Sequence, residues 1–294
     1  MTRSDAAIEP HLRSHSKKFP LDPKCPFPVG VEYYRAPVPP TKFWDEDLAR
    51  IRAAGMCIIR TFTPWNWIER EPGKFDFDDF DMLFDLAAKR HLRIWLDTPV
   101  GTHMACPEWM IRKHPDMKVE WYDGRVQHPT AGPATPLGTM IHNFDHPRWR
   151  EYVERFIRAI VPRYKDHPAL QIWGTWDGIN FAAAWADNHG MPPYNDYTIK
   201  KYKGWLKERF TLEELGERLM RRLSSWEDVD APRSNDAIVE MTLYRRFHYE
   251  NMAAHLGWLA DLIDRLDGKH EQRSHGASYP RPWDEIVSPR IDSW

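Results

Sequence analysis

A parallel (β/α)8 barrel of the TIM type, followed through only about six of its strands, is the fold this sequence predicts. Three observations predict it. Short, continuously apolar runs alternate with helical periodicities; the ends of those runs collect acids, aromatics and an arginine; and no Gly-rich phosphate loop follows the first run. Strand–helix alternation means a parallel sheet with right-handed crossovers. An open doubly wound sheet is the competing arrangement, but it needs a phosphate loop after its first strand to hold a dinucleotide. At 294 residues the chain is long enough for one large domain. It divides into a polar N-terminal tail over 1–26 and a partial barrel over 27–294.

The elements follow in order. Phe27–Tyr34 reads as a first strand. Thr41 is the expected N-cap of the next helix, with Asp45, Glu46 and Asp47 in its first turn. Trp44, Leu48 and Ile51 fall on one helical face, and Gly55 is placed to end that helix in the left-handed conformation. Met56–Phe62 is a second strand, apolar throughout as expected where helices cover a parallel sheet. Phe80, Leu83, Phe84 and Ala87 mark the second helix, and Leu92–Asp97 the third strand. A Pro- and Gly-punctuated excursion over 98–146 carries a short helix near Pro107–His114; a loop of that length in a compact domain is usually functional. Trp149, Val153, Phe156 and Ile160 share a face of the next helix, and Leu170–Trp176 is a fourth strand. Two helical stretches over about 198–222 and a long amphipathic helix over about 235–266 precede a fifth strand at Glu271–His275 and a sixth at Arg290–Trp294.

Composition excludes several function classes. No run approaches the ~20 apolar residues of a membrane span. The first twenty residues lack the apolar stretch of a secretory signal. Forty-one basic against 43 acidic residues, interspersed, leave a net charge of −2 and no basic stripe for nucleic acid. Cys25, Cys57 and Cys106 are few, odd in number and without CxxC spacing, which argues against a disulfide framework or a structural zinc and suits a cytoplasmic protein. Fifteen tryptophans beside 11 Tyr and 13 Phe are unusual, because aromatic faces either fill cores or stack on sugar rings.

In a barrel of this kind the active site lies at the C-terminal ends of the strands. Those ends supply Glu32 and Tyr34, Arg60 and the Trp65–Trp67 loop, Asp97 and His103, Trp176 and Asp177, His275 and Asp292. A single acid at a strand end can simply cap a helix or pair with a barrel arginine. Several converging on one rim suit a ligand with many hydroxyls. Glu32, Arg60, Asp97 and His103 are the expected polar sugar contacts, and Trp65, Trp67 and Trp176 the expected stacking walls of one cleft.

The motifs are more specific than the composition. Gly30-Val-Glu-Tyr-Tyr34, Trp44-Asp-Glu-Asp-Leu48 and Ile59-Arg-Thr-Phe-Thr-Pro-Trp65 resemble the opening of the family 42 glycoside hydrolases, the β-galactosidase group. Trp67-Ile-Glu-Arg-Glu-Pro-Gly-Lys-Phe-Asp-Phe77, Pro107-Glu-Trp-Met110 with His114-Pro115, and Arg163-Tyr-Lys-Asp-His-Pro-Ala-Leu170 followed by Ile172-Trp173 continue the likeness, and Ile291-Asp-Ser-Trp294 resembles the family's sixth strand. The resemblance implies hydrolysis of β-galactosides or related β-linked glycans by a retaining mechanism, with two carboxyl groups roughly 5–5.5 Å apart. In the family the acid/base is a Glu after an Asn at the end of strand four, and the nucleophile a Glu after strand seven. Here Trp173-Gly-Thr-Trp-Asp-Gly178 places Asp177 on the Asn and Gly178 on the Glu, and no residue matches the nucleophile. Asp177 then serves as the acid/base, or that function is lost and Asp177 hydrogen-bonds the sugar.

The resemblance implies no cofactor. The family's metal sites use cysteine clusters, which Cys106 alone does not match, so no metal is expected, and His142, His146 and His189 read as polar loop residues. The expected partner is a carbohydrate substrate, with neither nucleic acid nor membrane. Open strand edges on a barrel of about six strands invite homo-oligomers. Two other readings stand beside this one: a non-catalytic sugar-binding protein on the same scaffold, and a metal-dependent barrel hydrolase or isomerase using Glu32, Asp97, Asp177 and His275.

Overall fold

The structure, a computed structural model, describes residues 29–33, 38–98, 107–126, 142–177 and 193–275, with Trp176, Asp177 and His275 described by their backbone. Five parallel strands lie in sequence order: β1 (Gly30–Glu32), β2 (Ile58–Phe62), β3 (Arg93–Asp97), β4 (Leu170–Asp177) and β5 (Glu271–His275). Consecutive strands pair throughout, as in a barrel wall; a doubly wound sheet would reverse its order partway. The expected sixth strand at 290–294 and the tail over 1–26 lie outside the described residues.

Between the strands run α1 (Trp44–Ala53), α2 (Trp65–Ile68), α3 (Asp78–Lys89), α4 (Glu108–Lys113), α5 (Trp149–Tyr164), α6 (Asp196–Lys207), α7 (Leu212–Arg218) and α8 (Ile238–Leu266). Thr41 is not the N-cap of α1. It opens a single 3-10 turn, its side chain makes no capping bond, and the helix proper starts at Trp44, with Asp45, Glu46 and Asp47 in its first turn. Gly55 closes α1 as expected, at φ +86°, with Met56 N donating to Ile51 O.

The two faces of the sheet differ in chemistry. Ile59, Ile94, Leu96, Leu170 and Trp173 turn outward into one apolar core shared with Leu83 and Phe84 of α3, Phe156 and Ile160 of α5, and Leu259 and Ile263 of α8. The alternate positions form registered rows on the inner face: Glu32, Arg60, Trp95, Ile172 and Glu271, then Phe62, Asp97, Gly174 and Arg273. An inner face that mixes charges with aromatics is unlike the branched aliphatic layers that fill most barrels.

Cys57, immediately before β2, is disulfide-bonded, and its partner lies outside the described residues. A single bond of this kind is not a framework, but it was not expected from cysteines without CxxC spacing.

Candidate active site

Arg60 sits at the centre of the rim. Its Nε donates to Asp97 Oδ2 at 2.6 Å and its Nη1 to Glu32 Oε1 at 2.8 Å, tying the ends of β1, β2 and β3 together. The guanidinium also lies over the rings of Phe62 and Trp95, 4.7 and 5.0 Å from their centroids. Asp97 is fully buried, whereas the Glu32 side chain is 51% exposed. Of the two acids paired with Arg60, Glu32 is the one whose side chain is open to solvent, and Asp97 is enclosed.

Gly174 explains how a buried carboxylate fits there. A Cβ on Gly174 would overlap Asp97 Oδ1 and lie 2.7 Å from Trp95 Nε1. The glycine is thus required by close approach between β3 and β4, a role that a Gly inside a strand pattern signals in advance. Trp95, Gly174 and Arg273 are site-forming residues that strand-end reasoning missed. Arg273 faces the same Trp95 ring at 5.9 Å and pairs with Glu271 at 3.1 Å, extending the charged face to β5. Period-two alternation within the strands was the signal that could have found them.

Asp177 is the last residue of β4, at the same end of the sheet as Glu32 and Asp97. A bulge precedes it: Gly174 pairs with Arg273, but Trp176 pairs with Ser274 and Asp177 with His275, so β4 carries one extra residue and its last two positions are displaced in register. Bulges of this kind re-aim strand ends and recur beside active sites. His103, His189 and Asp292 lie outside the described residues.

Of the three tryptophans expected to wall one cleft, the Trp176 side chain lies outside the described residues. Trp65 is no cleft wall: it is completely buried, meets Phe156 edge-on with centroids 5.6 Å apart, and donates Nε1–H to Glu69 Oε2 at 2.5 Å. The short helix α2 turns both Trp65 and Ile68 inward, which leaves Trp67 40% exposed, its Nε1 donating to Asp79 at 3.0 Å. Glu69, buried beneath them, also accepts from Gly73 N at 2.7 Å and from Arg155, while its carbonyl accepts from Trp109 Nε1 at 3.0 Å. The Trp67–Phe77 motif is thus a structural clamp on the loop that follows β2.

Other histidines of the long excursion are buried as well, contrary to their reading as polar loop residues. His142 stacks on Trp149 at 6.2 Å, and burial pushes its pKa down to about 4. His114, Asp116 and His146 bring three ligand-type atoms within 4.8 Å of one another. However, Arg148 N donates to His146 Nδ1 at 3.1 Å, so a neutral His146 carries its proton on Nε2, which faces Asp116 at 3.3 Å. A metal on that nitrogen would displace the proton to Nδ1 and break the bond from Arg148 N. The trio is suited to hydrogen bonding.

Parallel strands wound in sequence order, with helices between them, define as a class an α/β barrel wall. The sequence profile of glycoside hydrolase family 42, described as beta-galactosidase, matches residues 33–271, and the chain belongs to that family. Beta-galactosidase bgaB of Geobacillus kaustophilus is 28% identical over 218 residues, 70% of this chain and 30% of its own length. The exo-beta-D-glucosaminidase of Pyrococcus horikoshii is 21% identical over 229 residues, 69% of this chain and 27% of its own. In fold, the polyextremophilic beta-galactosidase of Halorubrum lacusprofundi superimposes with a TM-score of 0.76 at 22% identity, covering 90% of this chain and 39% of that one. The chain thus spans about a third or less of the curated relatives it matches.

Proposed function

We propose that this chain forms the sugar-binding mouth of a glycoside hydrolase acting on β-galactosides or related β-linked glycans. The observation that carries the reading is the alignment of Glu32, Arg60, Asp97 and Asp177 at one end of four adjacent strands. Glu32 and Arg60 would hold sugar hydroxyls, with Trp67, Trp176 and His103 as further contacts. Asp177 would protonate the leaving oxygen, its side chain one methylene shorter than the family's Glu. The other half of a retaining pair, a carboxylate that attacks the anomeric carbon, matches no residue of this chain.

A second reading, sugar binding without turnover, is favoured by one observation: Gly178 stands where the family carries its acid/base. Calorimetric titration with galactose, glucosamine and glucose, run beside an aryl β-galactoside assay, separates the two. The first reading expects galactose binding weakened about tenfold by Glu32→Gln, and any turnover lost in Asp177→Asn. Because no residue here matches the attacking carboxylate, the assay supplies azide as an external nucleophile: galactose binding with no azide-dependent turnover selects the second reading, and absence of sugar binding overturns both. The sparse cysteines suggest a cytoplasmic location, but the Cys57 disulfide argues against a reducing compartment. No helix among the described residues is long and apolar enough to cross a membrane.

A further inference from the structure

We propose that the cavity between the 115–126 excursion and the first turn of α6 is a second saccharide site, taking a neutral oligosaccharide beside the barrel mouth. Its volume, about 450 Å³, falls within the range of small-ligand sites. Asp116, Lys118, Glu120, Asp196, Tyr197 and Lys200 line it. None of these belongs to the Glu32–Arg60–Asp97 triad.

The frame of the cavity is fixed while its charged side chains are not. Asn195 uses its whole amide to pin the walls. Nδ2 donates to the carbonyls of Asp116 and Lys118 at 3.2 and 2.8 Å, and Oδ1 accepts from Glu120 N and Asn143 Nδ2, both at 3.0 Å. Tyr197 donates its hydroxyl to the Asp116 carbonyl at 3.0 Å, and Tyr194 N donates to the Glu120 carbonyl at 2.8 Å. By contrast, the side chains of Lys118, Glu120, Asp196 and Lys200 make no hydrogen bond or ion pair among the described residues. A rigid backbone presenting uncommitted donors and acceptors is preorganised for a ligand, because little ordering is left to oppose binding.

The sign pattern selects the ligand class. Three carboxylates would repel a phosphate, and two ammonium groups would repel a divalent cation. Hydroxyl groups suit both, since each donates to a carboxylate and accepts from an ammonium, and the Tyr197 ring offers an apolar face. Partial burial and the nearby Asp196 carboxylate raise the pKa of Glu120, against the opposing pull of Arg233. The location fits a glycan longer than one sugar: residues 115–126 follow β3 and α6 follows β4, so both walls belong to connections that leave the rim. The inference rests on the proposed reading of that rim as a sugar site.

The test compares galactose with a β-linked galactotetraose, both titrated calorimetrically into the 294-residue chain. The double variant Glu120→Gln/Lys200→Met should weaken the tetrasaccharide at least tenfold and leave galactose unchanged. Unaltered tetrasaccharide affinity in a variant that keeps its circular dichroism and melting temperature overturns the second site. Should that variant not fold, acetylation footprinting of the unsubstituted chain decides: the tetrasaccharide should protect Lys118 and Lys200 while galactose does not. Protection by inorganic phosphate or Ca²⁺ instead, or no protection, overturns the site. If Glu32→Gln leaves galactose binding intact while the pocket variant loses the tetrasaccharide, the mouth reading fails and the second site stands. If neither sugar binds, both fail.

Discussion

Arg60 and its two acids divide the work of the rim between structure and recognition. The buried charge of Asp97 is answered by a guanidinium that lies over the rings of Phe62 and Trp95. Replacing Arg60 by Met should remove the cation that hydrogen-bonds that buried carboxylate, at a cost of about 3–5 kcal/mol, read as a drop in the urea midpoint. Glu32→Gln touches a half-exposed partner and should cost less than about 1 kcal/mol, even though it weakens sugar binding. If both substitutions destabilise equally, Glu32 belongs to the scaffold as well. Gly174→Ala is the companion test on β4. Its methyl group competes with Asp97 Oδ1 for space, so overpacking should cost about 1–3 kcal/mol. A fully stable alanine variant would show that the strands have room to part. The strand-end acids and Arg60 were legible because a strand ending in a charged residue puts it on the rim. That Asp97 is spent on Arg60 was not legible, since their pairing depends on which face each strand turns inward.

At the scale of elements, the loop after β2 shows where local pattern misleads. Trp65-Asn-Trp67 reads as an exposed aromatic loop, yet four residues of helix are enough to bury its first tryptophan against α5. Trp65→Ala should therefore destabilise the fold by about 3–5 kcal/mol while leaving galactose affinity unchanged in whatever fraction is folded. A specific loss of affinity without loss of stability would return Trp65 to the cleft. Most other elements were readable from period alone. Leu83 and Phe84 of α3, and Phe156 and Ile160 of α5, occupy the faces their spacing assigns. The start of α1 slipped by two residues, its N-cap falling at Phe43 and not Thr41, because a 3-10 turn over Thr41–Phe43 precedes the helix.

Across the whole molecule, the least legible feature is a buried polar knot joining segments more than fifty residues apart in sequence. Asp145, fully buried, accepts from Lys201 Nζ at 2.5 Å, Asn251 Nδ2 at 2.9 Å, Thr198 Oγ1 at 3.1 Å and His255 Nε2 at 3.1 Å. Burial would raise its pKa, but His255 and Lys201 overcome that and hold it well below the usual carboxylate range. Burial also pushes His255 down to about 4, against the pull of Asp145, and does the same to His248 and His142. In the unfolded chain these imidazoles titrate near about 6.5. Between that value and about 4 the unfolded state binds more protons than the folded one, so stability is complete above pH 6.5 and falls with acidification. Each histidine contributes up to about 1.4 kcal/mol per pH unit through that window. Asp145, with its depressed pKa, adds its own loss only below about pH 4. Urea unfolding should therefore show a clear decrease in stability from pH 7.5 to 5, and His142→Phe, which keeps a ring against Trp149, should lower the slope by up to about 1.4 kcal/mol per pH unit. A midpoint that does not move between those two pH values would mean that the folded protein protonates its buried histidines freely, and that the knot around Asp145 opens to water.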